Sequence, residues 1–224
     1  MGEKVTFPSN GGTAEGYLAK PAGGKGPGVV VIQEWWGLVP HIIDVADRFA
    51  AEGFTALAPD LFHGKSTKEP DEAGKLMMSL QLPLAAKDLS GAYDHLKKSD
   101  ATSGKVGCVG FCMGGGLSLY LATIKPIDAC VAFYGVIPGG QQPDYANLSG
   151  PVLGHYAEKD GWATPEVARG LEKTIRDAGG DAEVHIYPGA DHAFFNDTRP
   201  EAYDAAAAKT SWDRTLAFLK QHLA

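Results

Sequence analysis

The segment Val29-Val30-Val31-Ile32 constrains the fold more than any other part of the sequence, because four β-branched residues follow one another without a polar residue. Half-exposed strands alternate apolar and polar residues, whereas strands buried on both faces do not. The run therefore predicts a central strand of a parallel sheet. Because a chain of 224 residues can build a single core, we expect one α/β domain spanning residues 1–224.

The remaining segments support this interpretation, since strand-like and helix-like stretches alternate along the chain. Asn10-Gly11-Gly12 predicts a turn between two short antiparallel strands. Further strands are expected at 54–62, 105–111, 128–135, 151–160 and 182–189, and helices at 41–53, 69–98 with an interruption at Pro83, 113–123, 165–178 and 201–223. The pattern predicts a mostly parallel central sheet with helices on both faces.

Composition restricts the classes of partner. The formal net charge is −7 and no cluster of Lys and Arg is present, so a nucleic-acid partner is not expected. No apolar run reaches the length of a membrane span, and the first residues lack the apolar core of a secretory signal. Three cysteines without such a signal favour reduced thiols in the cytoplasm. We expect a small-molecule substrate and a monomer or small homo-oligomer.

The most specific motif is Gly110-Phe111-Cys112-Met113-Gly114, which lies between a predicted buried strand and a predicted helix. This context is typical of the nucleophile elbow of α/β-hydrolases, where small flanking residues let strand and helix approach. A thiolate at a helix N-terminus suits acyl transfer, and the Met113 N–H would be one oxyanion donor. One alternative, a phosphate-binding glycine loop, lacks the required spacing and the following Lys-Ser/Thr. The other is a tight turn around a buried thiol.

An acid and a histidine follow the elbow in the order that α/β-hydrolases use. Asp160 comes after one predicted strand and His192 after the next, where active sites of parallel sheets gather. His192 would accept the thiol proton and Asp160 would orient the imidazole. Asp191 is the alternative orienting acid. The histidines show no metal-ligand spacing, and no metal is expected.

The segment Gln33-Glu34-Trp35-Trp36-Gly37 ends the strand that contains the β-branched run. The Trp35 N–H is the candidate second oxyanion donor. A carboxylate at Glu34 is costly to bury unless it is paired or protonated, so we expect either a function or a buried ion pair. The apolar walls of the site are expected to come from Trp35, Trp36, Phe111 and Met113.

These motifs together resemble the dienelactone hydrolase family (carboxymethylenebutenolidases) over nearly the whole chain. The segments that carry the resemblance are QEWWG, DVADRFAAEGFTALAPDLF, GFCMGG, AFYG, EKD and DHAFFND. The resemblance implies a triad of Cys112, Asp160 and His192, with Glu34 helping the thiol to ionise when substrate binds. It also implies lactone hydrolysis through a thioester acyl-enzyme, without metal or cofactor. Tyr134 and Asn196 join the candidate substrate-binding residues.

The sequence departs from the family where the substrate carboxylate is bound. The family uses two arginines, one of them four residues after the catalytic histidine. Here that position is Asn196, and the segment 74–89 contains no arginine, although Arg199 or a lysine such as Lys75 or Lys87 is a possible replacement. We therefore expect a preference for neutral esters or lactones. A thioesterase or acyltransferase with the same triad, and a non-catalytic binding protein of this fold, are the alternatives.

Overall fold

The computed structural model describes residues 2–135, 137 and 142–224, and it centres on an eight-stranded sheet. The strand order is β1-β2-β4-β3-β5-β6-β7-β8. Among these strands, β2 runs antiparallel to its neighbours β1 and β4, and the pairs from β4 through β8 are parallel. The strands are β1 (Glu3–Ser9), β2 (Gly12–Ala19), β3 (Gly26–Ile32), β4 (Thr55–Pro59), β5 (Thr102–Phe111), β6 (Cys130–Phe133), β7 (Val152–Ala157) and β8 (Ala182–Tyr187).

Helices cover both faces of the sheet, as predicted. They are α1 (Pro40–Ala51), α2 (Pro70–Ser79), α3 (Leu82–Lys98), α4 (Met113–Ile124), α5 (Pro165–Asp177) and α6 (Ala205–Leu223). A Cβ on Gly28 would contact Leu96 of α3, whereas a Cβ on Gly107 would contact Leu219 of α6. Gly28 pairs with Val106, and successive residues of a strand face opposite sides. Helices α3 and α6 therefore lie on opposite faces.

The β-branched run of β3 forms the centre of the core, because Val29, Val30, Val31 and Ile32 have no solvent exposure. Neighbouring strands β4 and β5 pair with it on either side and remove its backbone polar groups from water. The prediction of a strand buried on both faces is confirmed. The fold class, a mostly parallel sheet with helices on both faces, is confirmed with it.

Several predicted boundaries were wrong, and two of the differences have a clear physical cause. The helical stretch 69–98 is interrupted at Leu80 and Gln81, and Pro83 lies in the first turn of α3. A proline is tolerated there because the N–H it lacks would have no intrahelical partner. The last helix begins at Ala205 and not at 201, because the Asp204 carboxylate accepts from the N–H groups of Ala206 and Ala207 and caps it.

The parallel strands bring distant residues to one edge of the sheet. Strands β3, β5, β6, β7 and β8 all run in the same direction. The residues that follow their carboxyl ends therefore meet, and these include Glu34, Cys112, Tyr134, Asp160 and His192. The candidate site lies at this edge.

Candidate active site

Cys112 occupies a strained turn between β5 and α4, with φ of 54° and ψ of −119°. A non-glycine residue with such a backbone is costly and persists only where the surrounding structure holds it. The flanking glycines allow this arrangement, because a Cβ on Gly110 would lie 1.9 Å from the Gly114 carbonyl oxygen. A Cβ on Gly114 would lie 2.4 Å from that of Ile32. The turn therefore has the close strand-to-helix approach of a nucleophile elbow.

Asp160 lies in the loop after β7, where three groups donate to its buried carboxylate. The backbone N–H groups of Trp162 and Ala163 donate to Oδ1 over 2.8 and 3.0 Å. Oδ2 lies 2.6 Å from His192 Nδ1, and the Asp160 side chain has no solvent exposure. Although burial alone would raise the pKa of Asp160, these contacts lower it. The carboxylate is thus held ionised against the imidazole, whereas Asp191 is exposed.

His192 lies in the loop after β8, close to both Asp160 and Cys112. Burial alone would lower the pKa of His192, but the hydrogen bond to Asp160 and the charges of Asp160 and Cys112 raise it to about 10. The second ring nitrogen, Nε2, is buried and has no hydrogen-bond partner within the described residues. The imidazole is therefore fixed on one side and free on the other to exchange a proton.

Glu34 is almost completely buried at the end of β3, with 1% of its surface exposed. Burial raises its pKa to about 7, while the Asn196 amide and the charges of His192 and Arg199 oppose this rise. Asn196 Nδ2 donates to Glu34 Oε2 over 2.7 Å. The residue at the family's arginine position therefore does contact Glu34, but as a neutral amide. Burial is the main cause of the raised pKa of Glu34.

Three donors at this edge of the sheet have no acceptor in the described part of the chain. The backbone N–H groups of Trp35 and Met113 donate to no protein acceptor. The Tyr134 hydroxyl is likewise buried without a partner, and its ring centroid lies 5.0 Å from that of His192. Burial and the charges of Glu34 and Cys112 raise the Tyr134 pKa well above its ordinary value, so this hydroxyl is neutral. These groups are suited to bind an oxygen that develops negative charge.

The predicted apolar walls need correction. Phe111 has no solvent exposure and stacks on Phe133 and Phe195 with ring centroids 4.8 and 5.3 Å away. The Met113 side chain is also in the core, with 1% exposed. Neither offers a surface to a substrate, because both pack beneath the turn. Trp35 is half-buried and Trp36 is 8% exposed, so these two retain access to the surface.

Sequence reasoning missed Trp162, which is 62% exposed beside the candidate site. Its ring centroid lies 5.3 Å from that of His192 and 6.0 Å from that of Trp35. A cavity of about 400 Å³ opens next to it, with Leu119, Tyr145, Tyr156 and Leu171 among its lining residues. The position of Trp162 two residues after Asp160 was the available signal. Trp35 and Trp162 form an apolar rim above His192.

The proposed replacements for the missing arginine differ in their positions. The Arg199 guanidinium lies 5.3 Å from the centre of the Trp36 ring and is paired with Glu201. Lys75 is exposed and paired with Glu72 on α2, and Lys87 is exposed on α3. Arg199 is therefore the candidate cation with an electrostatic effect on Glu34.

The structure also bears on the other expectations from composition. All three cysteines are free and buried. Within residues 2–135, 137 and 142–224, no group of three or more His, Cys, Asp or Glu side chains could hold a metal ion. No helix among those residues has the length and apolar character that a membrane span requires.

Comparison with known proteins identifies the family. A family model described as the dienelactone hydrolase family matches residues 14–223. Protein usf of Aquifex pyrophilus is 41% identical over 232 residues, and a "Putative carboxymethylenebutenolidase" of Aquifex aeolicus is 35% identical over 232 residues, each match covering 100% of both chains. A solved structure of a dienelactone hydrolase-like promiscuous phosphotriesterase from metagenomic libraries has a TM-score of 0.90 at 25% identity, covering 100% of this chain and 99% of that one. The chain therefore belongs to the dienelactone hydrolase family.

Proposed function

We propose that this protein hydrolyses small neutral esters or lactones, with Cys112 as the nucleophile, His192 as the base and Asp160 as the residue that orients the base. One observation carries the proposal: Asp160 Oδ2 lies 2.6 Å from His192 Nδ1 beside a cysteine held at φ of 54°. A nucleophile, a base and an orienting acid in this order are the parts that acyl transfer requires.

The reaction proceeds in two halves. His192 holds the Cys112 proton, as its raised pKa favours, and the thiolate attacks the carbonyl carbon of the ester. The Trp35 and Met113 N–H groups stabilise the oxyanion, and the imidazolium returns the proton to the leaving alkoxide as the carbon–oxygen bond breaks. His192 then deprotonates a water that attacks the thioester. The acid is released, the proton returns to the sulfur and the free thiol is restored.

Glu34 contributes a carboxyl group whose protonation can change near neutral pH. Its pKa of about 7, raised by burial, means that the carboxyl group is partly protonated in the resting enzyme. Because the Asn196 amide is neutral, it stabilises the carboxylate without fixing its charge. Glu34 would exchange a proton as charge on Cys112 and His192 changes when substrate binds.

A neutral substrate fits the charges of the site. Asp160 is ionised, Glu34 is partly ionised and the residue at the family's arginine position is uncharged. The charge of Asp160 is paired with His192, but an anionic lactone would meet the partly ionised Glu34 without the two arginines of the family. The cavity beside Trp162 is lined largely by apolar and aromatic residues, which suits the hydrocarbon part of an ester. We further propose that the enzyme acts in the cytoplasm, as a monomer or small homo-oligomer.

The test is hydrolysis of short-chain nitrophenyl esters by the wild type, Cys112→Ala and the control Cys108→Ala. The control removes another buried thiol that lies within β5 and away from the turn. Cys112→Ala should lose turnover, while the control should keep it. Mass spectrometry of the wild type during turnover should detect an acyl group on Cys112, and product analysis should find the acid and not a transferred acyl group. Activity in Cys112→Ala would refute the proposal.

A further inference from the structure

The cavity beside Trp162 lies between α4 and α5 and borders the candidate active site. Trp162 lines it with a ring centroid 5.3 Å from that of His192, and Gly135, the residue after Tyr134, lines it as well. The remaining walls include Leu119 of α4, Tyr145, Tyr156 of β7, and Gly170 and Leu171 of α5. Part of a substrate held at Cys112 would therefore extend into this cavity.

None of the described residues that line this cavity is charged. Its walls are mostly apolar and aromatic, and one of its polar groups, the Thr174 hydroxyl, already donates to the Gly170 carbonyl oxygen over 2.8 Å. A charged group would leave water here without an opposite charge to pair with, which is costly. The cavity therefore favours the neutral part of a ligand.

Tyr145 and Tyr156 bring two unpaired donors to the cavity. They are 4% and 0% exposed, and neither hydroxyl has a hydrogen-bond partner within the described residues. Burial raises the pKa of both side chains, so each hydroxyl is neutral and has one O–H to donate. Buried donors normally have an acceptor. An oxygen atom of a group bound in the cavity would supply one.

Gly170 leaves the cavity open on the side of α5. It lies inside this helix, where glycine is destabilising relative to alanine. Close packing does not require glycine there, because a Cβ would meet no atom within 4 Å. Since Gly170 lines the cavity, a larger side chain would take up part of its volume. The space for a ligand is thus a reason for glycine at this position.

We propose that this cavity binds a neutral apolar arm of the substrate, and that Tyr145 and Tyr156 donate hydrogen bonds to an ether or carbonyl oxygen on that arm. The volume of about 400 Å³ is within the range of small-molecule sites. This inference rests on the proposed function, and it narrows the substrate class to neutral esters or lactones that carry such an arm.

The test is calorimetric titration of the protein with acetophenone, which supplies a flat apolar ring and one neutral acceptor oxygen. Acetophenone should bind at millimolar concentration. Tyr145→Phe and Tyr156→Phe should each weaken its binding about threefold or more, as expected for the loss of one neutral hydrogen bond. The control Tyr203→Phe changes an exposed tyrosine that does not line the cavity and should leave the affinity unchanged.

A second pair of variants tests the position of the ligand. Gly170→Leu should abolish acetophenone binding, because the new side chain occupies the cavity. Arg169→Leu adds the same side chain at an exposed position of α5 that does not line the cavity, and it should keep the wild-type affinity. Any binding of benzoate should be unchanged in Gly170→Leu, because its charge would have no partner in this cavity.

Absence of millimolar binding, or full acetophenone affinity in Gly170→Leu or in both phenylalanine variants, would overturn the proposal. Benzoate binding that is lost in Gly170→Leu would overturn the preference for a neutral group. Acetophenone should also compete with a nitrophenyl ester, and binding without competition would overturn the link to the substrate. Because binding is measured without turnover, acetophenone binding in a protein that hydrolyses no ester would refute the proposed function alone. Ester hydrolysis without acetophenone binding would refute this inference alone.

Discussion

Asp160→Asn removes the charge next to His192 while keeping the size of the side chain. The carboxylate lies 2.6 Å from His192 Nδ1 in a fully buried position. Burial acts to lower the pKa of His192, yet Asp160 and Cys112 together raise it to about 10. Relative to the ordinary value, this corresponds to about 5 kcal/mol in favour of the imidazolium, as an order of magnitude shared between the two partners. Asn supplies none of the charge and does not fix the tautomer.

We expect kcat for nitrophenyl esters to fall about a hundredfold or more in Asp160→Asn, because the imidazolium formed during attack loses its stabilising charge. The pKa of His192, followed by NMR of the ring protons and assigned with His192→Gln, should fall toward the ordinary value. Asp191→Asn, which changes the exposed carboxylate next to His192, is the control. A kcat close to that of the wild type in Asp160→Asn, or an unchanged His192 pKa, would refute the reasoning.

The same substitution predicts a pH dependence of stability. Because the pKa of His192 is raised in the folded state, its protonated ring contributes stability. This contribution is fully present below about pH 6.5 and is lost as the pH rises through about 10. Because the pKa of Asp160 is lowered in the folded state, its carboxylate contributes stability at pH values above the ordinary pKa of Asp. This contribution is lost as the pH falls through the lowered pKa of the folded state. The free energy of unfolding lost in Asp160→Asn should therefore be largest between about pH 4 and 6.5. Urea unfolding measures it, and a loss that is equal at all pH values would contradict the ion pair.

Four further predictions follow from the site and the fold. The raised pKa of about 7 means that ionised Glu34 destabilises the folded protein. Glu34→Gln should therefore raise the free energy of unfolding above about pH 8 by up to about 3 kcal/mol and lower activity. No gain over the wild type in urea unfolding at that pH would contradict this. Iodoacetamide should label Cys112, which is 7% exposed, before Cys108 and Cys130; peptide mass mapping decides the order, and survival of activity after full labelling would count against Cys112. Values of kcat/KM should favour a neutral ester over dienelactone. A preference for dienelactone that disappears in Arg199→Ala would show that Arg199 binds the substrate carboxylate in place of the missing arginine. The expectation of one domain over residues 1–224 stays a prediction, and coincident unfolding by fluorescence and circular dichroism would support it.

The sequence was sufficient to predict the fold class because its strongest signals are local. The apolar run at Val29–Ile32 and the glycines around Cys112 report burial and close backbone approach at their own positions. Strand direction then places the residues after each strand at one edge. That is why Asp160 and His192, which lie on different loops, were expected to meet. Their catalytic roles stay predictions until the variants are measured.

The sequence was insufficient where side-chain direction or distant pairing decides the outcome. Phe111 directly precedes Cys112, yet its side chain points into the core, because neighbouring residues of a strand face opposite sides. A single tryptophan in a loop belongs to no periodic pattern, so only its position two residues after Asp160 indicated that Trp162 would approach His192. The hydrogen bond between Glu34 and Asn196 joins residues 162 positions apart. The alternative of a buried ion pair at Glu34 was wrong, because the buried partner is the neutral amide of Asn196.

Residue 196 affects both the pKa of Glu34 and the charge that the site presents to a substrate. Asn196 Nδ2 donates to Glu34, and its Oδ1 accepts from the Thr198 N–H and hydroxyl over 3.0 and 2.6 Å, so the amide is fixed at both ends. An arginine at this position would place a positive charge against Glu34, lower its pKa and present a guanidinium group to an anionic substrate. Asparagine lowers the pKa of Glu34 only through a neutral amide hydrogen bond, and it presents no positive charge to a substrate. The contact between Asp160 and His192 does not involve residue 196, so replacing Asn196 by arginine should change the charge presented to a substrate and leave the proposed acyl-transfer residues in place.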